Sequence, residues 1–205
     1  MSTLSSSQSH QDEKFENITL EAGETLTGEF VECAFSNCFF SGVLLKHCRF
    51  NSCIFTNCDL SLADISGSAF PSTRFEKAKL IGINWTSADW GALGIGTPPV
   101  FLECVLNHGT FIGVDLKGTQ ILDCVAREVD FREADLSGVK FGRTDFSGSL
   151  FGQTNLSKAD LSRAYSYAID PGANTLEGTR FSMPEALSLL YNMNIVLDER
   201  LDLER

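Results

Sequence analysis

Residues 30–60 read FVECAFSNCFFSGVLLKHCRFNSCIFTNCDL, and every fifth position in this stretch holds a large apolar residue. Phe30 begins the series, which continues without a gap to Trp90. A small residue such as Cys33 lies two positions before almost every large one. A period of five matches neither the 3.6-residue period of an α-helix nor the two-residue period of a flat strand. A short repeat of this kind predicts a solenoid whose sides are five residues long.

A second period, of twenty residues, indicates how many sides make one turn. Residues twenty apart match better than residues five apart, so that Leu116, Leu136 and Leu156 fall in one column. Four sides of five residues therefore make one square turn, and the sequence predicts an all-β solenoid. The large residue fills the axis, the small residue fits beside it, and the other three positions face solvent. Equivalent side chains would stack at about the 4.8 Å spacing between strands, which suits offset aromatic pairs.

Residues 91–100 interrupt the pattern. This segment is rich in Gly and Pro, and the period resumes after it with a shift of one residue. We expect one extra residue to bulge out here as a small loop that includes Leu93 and Ile95. Two interpretations of the neighbouring Trp85 and Trp90 remain open. Either the indoles fill a locally wider interior, or the loop and Trp90 form a recognition feature.

The pattern divides the chain into segments. Residues 1–13 have no periodic apolar series and predict a flexible tail. The first run of coils, meaning consecutive turns of the solenoid, covers residues 14–90, and the second run covers residues 101–181. Residues 182–198 predict a cap made of a short C-terminal helix followed by a strand, and residues 199–205 form a charged tail.

This cap carries more apolar surface than the end of one solenoid needs. Its apolar residues are Leu187, Leu190, Tyr191, Met193, Ile195 and Leu197. We expect them to form the interface of a two-fold homodimer, because a second copy of the same surface would cover them. A monomer in which they cover only the last turn is the alternative.

The composition limits the partners and the compartment. The formal net charge is −11 and the pI is about 4.6, which favours basic partners and predicts no direct binding to nucleic acid and none to membrane. All seven cysteines occupy the small inward position, where thiols behave as small buried hydrophobes. Cys33 and Cys53 lie one turn apart, close enough for a disulfide, but reduced thiols explain the pattern. No signal peptide or membrane span is evident, and we expect a cytoplasmic protein.

The sequence does not predict an enzyme. The three histidines, His10, His47 and His108, are scattered, and we place His10 in the flexible tail. There is no phosphate-binding glycine loop, no nucleophile elbow and no spacing typical of metal ligands. A filled, convex rod offers no cleft that would shift the pKa of a catalytic carboxyl group. We therefore expect no catalytic residues, no cofactor and no bound metal.

Outward positions just before the large residues often hold aspartate. Each such aspartate, considered alone, is explained by hydrogen bonds to nearby backbone amides in the turns. Considered together, stacked carboxylates form an acidic flank with the sign and the regular spacing that a DNA-binding groove attracts. The candidate partner-binding residues on this flank are Asp115, Glu128, Asp130, Glu133 and Asp135.

Three segments carry a resemblance to a known family. Residues 134–138 (ADLSG), 144–148 (TDFSG) and 159–163 (ADLSR) resemble the repeats of the pentapeptide-repeat family. The resemblance implies a right-handed quadrilateral β-helix. Within that family, residues 84–90 (NWTSADW) and the ending at residues 180–190 (RFSMPEALSLL) look similar to the topoisomerase-protecting branch, which includes the Qnr proteins, and most of all to its albicidin-immunity type.

The function implied by this resemblance is protection of a topoisomerase. The protein would be a dimeric DNA mimic that binds DNA gyrase or topoisomerase IV and relieves poisoning by an inhibitor, as antibiotic resistance or self-immunity. The alternative is an acidic interaction scaffold whose partner is not a topoisomerase. Most of the sequence is explained by the fold alone, which keeps this alternative open.

Overall fold

The chain folds as a parallel β-solenoid, seen in a computed structural model that describes residues 8–93, 96–193 and 195. The strands, in chain order, are β1 (Gln8–Gln11), β2 (Lys14–Glu16), β3 (Thr25–Leu26), β4 (Gly28–Val31), β5 (Ala34–Ser36), β6 (Leu44–Leu45), β7 (Arg49–Asn51), β8 (Ile54–Thr56), β9 (Arg74–Glu76), β10 (Val100–Leu102) and β11 (Ile121–Leu122). Two short 3-10 helices span Trp85–Ser87 and Trp90–Leu93, and one α-helix, α1, spans Leu187–Tyr191.

Strands pair with the strand one turn later, always in parallel. The three described sheets have the orders β1-β4-β7, β11-β10-β9-β8-β5-β2 and β3-β6. In the second half of the rod the pairing continues through single parallel bridges, such as the one between Asp115 and Asp135. Most strand pairs and bridges join residues twenty apart, for example Phe35 and Phe55. The exceptions are the pairing of Thr25 with Leu44, nineteen positions later, and the pairs that cross residues 91–100, which are described below. The period of twenty in the sequence is therefore the length of one turn.

Each turn has four sides, numbered here by the column of large residues at their centres. Side 1 contains Phe30, Phe50, Phe70, Leu116, Leu136 and Leu156; side 2 contains Phe35, Phe55, Phe75, Phe101, Ile121, Phe141 and Leu161; side 3 contains Phe40, Leu60, Leu80, Leu106, Ala126 and Phe146; side 4 contains Leu45, Ile65, Trp85, Phe111, Phe131 and Phe151. All of them are buried except Phe151, which is partly buried. This confirms the predicted inward positions.

The core consists of ladders of stacked rings. The ring of Phe35 lies between those of Phe15 and Phe55, with centroid distances of 4.9 Å and 4.5 Å and nearly parallel planes. Rings on neighbouring sides meet edge to face, as Phe30 and Phe35 do at 5.6 Å. Both arrangements are favourable for aromatic pairs. The periodic placement of phenylalanine in the sequence therefore stabilises the core through contacts between rings.

The cysteines line the same interior. All seven are free and buried, in agreement with their assignment to the small inward position. The thiol of Cys53 lies 3.3 Å from the carbonyl oxygen of Phe30, and the other cysteine thiols contact carbonyl oxygens of the neighbouring turn in the same way. A small side chain at this position leaves room for the backbone of the adjacent turn.

The interruption after Trp90 is larger than we expected from the sequence. Phe75 pairs with Phe101, which is 26 positions later instead of twenty, so that six residues are inserted and not one. The sequence-based count assumed two sides between Trp90 and Phe101. The structure has only one side there, because the next turn resumes directly over β9. The parallel register is kept on both sides of the insertion.

The N-terminal end is more ordered than the predicted tail of residues 1–13. β1 pairs with β4 and extends the rod to Gln8, so that the prediction is wrong for residues 8–13; residues 1–7 lie outside the described part of the chain. The ring of His10, only 4% exposed, stacks on Phe30 at 5.1 Å. An aromatic imidazole therefore occupies the position of a core phenylalanine, which an apolar pattern does not detect.

At the C-terminal end a helix follows the last coil, as predicted. α1 is short, and Leu189 is the helical residue that packs against the core. The strand expected after it falls on Ile195, which is described outside any strand, and on Val196 and Leu197, which lie outside the described residues.

The stacked core predicts that truncations of two phenylalanines four residues apart, Phe35 and Phe39, have unequal effects on stability. Phe35→Ala should lower the free energy of unfolding by about 3–5 kcal/mol, because it leaves a cavity between two rings. Phe39→Ala, at a position that is 54% exposed, should change it by less than about 0.5 kcal/mol. Chemical denaturation followed by circular dichroism measures both. Similar losses for the two variants would contradict the assigned sides.

Candidate partner-binding surfaces

Aspartates before the large residues have a structural role in the turns. The Oδ1 atom of Asp135 accepts a hydrogen bond from the Ser137 amide at 2.9 Å, and Asp115 accepts one from the Lys117 amide at 3.0 Å. The same bond to the amide two residues later is made by Asp59, Asp64, Asp130, Asp145 and Asp160. The turn interpretation of these residues is therefore confirmed. Any role in binding a partner is additional.

The predicted acidic residues lie on two adjacent sides and their corners. Asp115 and Asp135 are bridge partners on side 1, and Asp130 belongs to side 4. Glu133 occupies the corner between sides 4 and 1, where its φ is 62°, and Glu128 occupies the corner between sides 3 and 4. We call these five residues the acidic edge. Asp115, Asp135, Asp130 and Glu133 thus lie on the two sides that meet at the corner between sides 4 and 1, or at that corner itself. Glu128 lies at the other end of side 4.

Arginine, lysine and histidine side chains lie beside much of the acidic edge. Arg132 Nη2 donates to Asp130 Oδ2 at 2.6 Å, Lys117 Nζ is 3.3 Å from Asp135 Oδ2, and His108 Nδ1 is 3.3 Å from Glu128 Oε2. No ion pair between described side chains involves Asp115 or Glu133. The edge is therefore less negative than a count of its carboxylates suggests.

The sequence reasoning missed these ion pairs, although a signal for them exists. Lys117 and Asp135 are separated by 18 residues, as are Lys46 and Asp64 and as are Arg127 and Asp145. In such a pair the cation directly follows the central residue of one side, and the carboxylate directly precedes the central residue of the same side one turn later. With twenty residues per turn, a spacing of 18 therefore places the two side chains next to each other. A search at this spacing would have found all three pairs.

Asp145, on side 3, is the most deeply buried of these carboxylates. It is 2% exposed, and its Oδ2 accepts from Arg127 Nε at 2.8 Å. Burial alone would raise the pKa of Asp145, but hydrogen bonds from Ser147 and the charge of Arg127 outweigh it and hold the pKa below its usual value. At the half-buried pair of Lys46 and Asp64, hydrogen bonds from Lys46 and Ser66 lower the pKa of Asp64 to about 2.

The two tryptophans at the interruption both pack inward. Trp85 is 1% exposed and stacks on Phe111 at 5.4 Å. Trp90 is partly buried against the core, and its indole N–H donates to the Trp85 carbonyl at 2.7 Å. Leu93 ends the second 3-10 helix, with its side chain outside the described parts, and Ile95 lies outside the described residues. The indole of Trp90 is thus engaged within its own chain.

The C-terminal cap exposes the apolar residues predicted for a dimer. Leu187, Leu190, Tyr191, Met193 and Ile195 are between 36% and 62% exposed, whereas Leu197 lies outside the described residues. These side chains form an apolar surface at the end of the rod.

The described residues bring together no three His, Cys, Asp or Glu side chains that could hold a metal ion. In the same ranges, no helix has both the length and the apolar character needed to span a bilayer.

The pKa shifts predict how stability depends on pH. The pKa values of Asp64, Asp130, Asp135, Asp145 and Asp160 are all lowered by folding. A lowered pKa stabilises the folded state above the unfolded value of about 3.9, and this stabilisation is lost as the pH falls through the folded value. The thermal midpoint should therefore fall steeply below about pH 4. Asp145→Asn should be less stable at neutral pH but should lose less stability over the acid range. An unchanged acid slope in that variant would contradict the assigned role of Asp145.

Comparisons with solved structures support the fold. HetL, described as a pentapeptide repeat protein involved in heterocyst differentiation regulation from the cyanobacterium Nostoc sp. strain PCC 7120, is similar with a TM-score of 0.60 and 18% identity over 85% of this chain and 86% of HetL. Trypsin-treated QnrB1, described as a plasmid-mediated fluoroquinolone resistance protein, is similar with a TM-score of 0.55 and 20% identity over 95% of this chain and 100% of QnrB1. No curated protein sequence matches the chain.

Family models match both runs of coils. Residues 28–96 match the model described as a pentapeptide repeat region, and residues 110–148 match the model described as eight copies of pentapeptide repeats. The two matches together span more than half of the chain, and they fall on the coils whose five-residue sides are described above. The chain therefore belongs to the pentapeptide-repeat family.

Proposed function

We propose that the protein is a DNA mimic that binds DNA gyrase or topoisomerase IV and protects the enzyme from a topoisomerase poison. The observation that carries this proposal is the acidic edge on a parallel β-solenoid. Carboxylates on successive turns are spaced by about 4.8 Å, and duplex DNA carries a charge about every 1.7 Å along its axis. The edge is thus a sparser version of the charge pattern that a basic DNA-binding groove attracts.

Two further observations support the proposal. QnrB1, whose fold is similar, is described as a fluoroquinolone resistance protein, which makes antibiotic resistance a function that this fold can serve. The apolar surface of the cap supports a two-fold dimer, which would double the length of the rod. Because gyrase acts on chromosomal DNA, the proposed function also requires a cytoplasmic location.

An interaction scaffold with a partner other than a topoisomerase is the second candidate. The pairing of Asp130 with Arg132 and of Asp135 with Lys117 favours it, because these pairs reduce the negative potential that mimicry of DNA requires. HetL, described as a protein of differentiation regulation, is an example of the same fold outside drug resistance.

A supercoiling assay with and without a gyrase poison tests the proposal. The purified protein should restore supercoiling in the presence of albicidin or a quinolone. Asp115→Asn/Glu133→Gln removes the two unpaired charges of the acidic edge and keeps the turn acceptor at position 115. It should require about tenfold more protein for the same rescue, a loss of about 1.4 kcal/mol.

The matched control is Glu16→Gln/Glu103→Gln, which removes two exposed charges from side 2. It should rescue supercoiling as well as the wild type does. Equal loss in the two variants would exclude a specific acidic edge. Absence of gyrase binding by the wild type at low salt would favour the scaffold.

The dimer is tested by molar mass in solution. Light scattering after gel filtration should give the wild type twice the 22.5 kDa of the chain. Leu190→Glu/Tyr191→Glu places charges in the apolar surface of the cap and should give a monomer, because an unpaired charge in an apolar interface is costly. Leu62→Glu, at a side position that is 67% exposed, is the control and should remain a dimer. A monomeric wild type would refute this part of the proposal.

A further inference from the structure

We propose that side 2 of the last turns binds the phosphate backbone of double-stranded DNA. The surface consists of Lys140, Arg143, Lys158, Arg163 and Arg180, here called the basic band. The overall charge of −11 argues against binding of nucleic acid by the surface as a whole. The charge is unevenly distributed, however, and this surface has the opposite sign.

The repeat places these five cations together. Lys140, Asp160 and Arg180 are successive bridge partners in one column of side 2. Arg143 and Arg163 follow at the corner toward side 3, one turn apart, and Lys158 lies at the corner toward side 1. All five side chains are exposed. The basic band is therefore a continuous surface, although its members are spread over forty residues of sequence.

Most of the positive charge is not neutralised within the chain. Arg143 donates to Asp123 at 2.7 Å, and Arg180 lies 3.6 Å from Asp160. Asp160 lies between Lys140 and Arg180, and its Oδ1 accepts from the Ser162 amide at 2.9 Å. Hydrogen bonds from Ser162 lower the pKa of this carboxyl group, and the charges of Arg180 and Arg163 also contribute to the lowered pKa. Lys140, Lys158 and Arg163 form no ion pair with any described side chain. Three cations are thus available to an external anion.

The shape of the surface suits a phosphate. Between Lys140 and Arg163 lies a shallow depression of about 350 Å³, lined also by Leu122, Gly142, Asp160 and Ser162. Gly142 has no side chain to fill it, and the Ser162 hydroxyl can donate to a phosphate oxygen. Cations one and two turns apart are separated by about 4.8 Å and about 10 Å along the rod. These separations allow contacts with successive phosphates of one DNA strand.

The position of the band is compatible with the proposed binding of a topoisomerase. Side 2 is opposite side 4, so that the basic band and Asp130 of the acidic edge face in opposite directions, whereas Asp115 and Asp135 lie on side 1, which adjoins side 2. A rod held by the enzyme through side 4 and its corner with side 1 would leave the basic band free to contact DNA. Binding of free DNA by the band does not depend on the topoisomerase, so that each proposal can be refuted without the other.

Fluorescence anisotropy of a labelled duplex of about 30 base pairs tests the inference, at about 25 mM KCl. The triple variant Lys140→Gln/Lys158→Gln/Arg163→Gln should bind at least tenfold more weakly than the wild type. The control Lys14→Gln/Lys77→Gln/Lys79→Gln has the same change in net charge, from three cations outside the band, and should bind within about threefold of the wild type. Thermal unfolding of both variants verifies that they are folded.

The salt dependence provides a second readout. With three phosphate contacts, the logarithm of the wild-type association constant should fall with the logarithm of salt concentration with a slope of about −2.7, and the band variant should lose most of this slope. Absence of DNA binding by the wild type at low salt would overturn the inference. Equal weakening in the band variant and the control would also overturn it, since it would show a nonspecific charge effect. Binding of a labelled polyglutamate in place of DNA would identify an acidic protein partner instead and would equally refute it.

Discussion

The backbone hydrogen bonds between consecutive turns are the constraint on which the rest of the molecule depends. The Leu116 amide donates to the Asp135 carbonyl at 2.9 Å, and the Asp135 amide donates to the Val114 carbonyl at 3.0 Å. Repeated along the rod, such bonds place most residues over the residue twenty positions away, and over the residue 26 positions away across the insertion. The stacked rings of the core and the charged columns of the surface both follow from this register. Each turn is stabilised only by its two neighbours, which is typical of a solenoid.

The part of the fold that could be predicted is the part that the register controls. The columns of Phe35 and Leu116 were evident from the sequence because inward positions accept few residue types. The strand at Gln8–Gln11 was missed because His10 replaces the expected phenylalanine and stacks on Phe30 all the same. The length of the insertion was miscounted because the sequence does not show whether one side or two lie between Trp90 and Phe101. Periodicity identifies the coils but not the number of residues inserted between them.

The candidate surfaces were less predictable, for a physical reason. Outward positions tolerate almost any residue, so that no period marks a binding site there. Aspartates are selected by the turns themselves, as the bond from the Ser137 amide to Asp135 illustrates. Their presence therefore carries little information about a partner. The sign of a surface depends on which cations lie one turn away. The pair of Lys117 with Asp135 follows from the turn length of twenty residues and not from the pattern of the aspartates alone.

The surface of the rod is accordingly better described by columns than by net charge. Asp115 and Asp135 repeat one sign along side 1, while Lys140 and Arg180 carry the other sign on side 2, two turns apart with Asp160 between them. A substitution at one outward position changes one element of a column and leaves the core untouched. Different sides of one rod can thus acquire different partners independently, which a compact domain with a shared core allows less easily.

The insertion between Trp90 and Phe101 has a consequence for how such a chain can change in length. A single residue added to a turn or removed from it must be compensated nearby, because an uncorrected shift of one position would turn every later inward side chain outward. At this one corner the pairing of Phe75 with Phe101 restores the register after six additional residues. The length of this insertion therefore does not change the register of the turns before and after it. This corner is where a peptide epitope or a fluorescent domain could be spliced into the chain while the coils before and after it stay aligned.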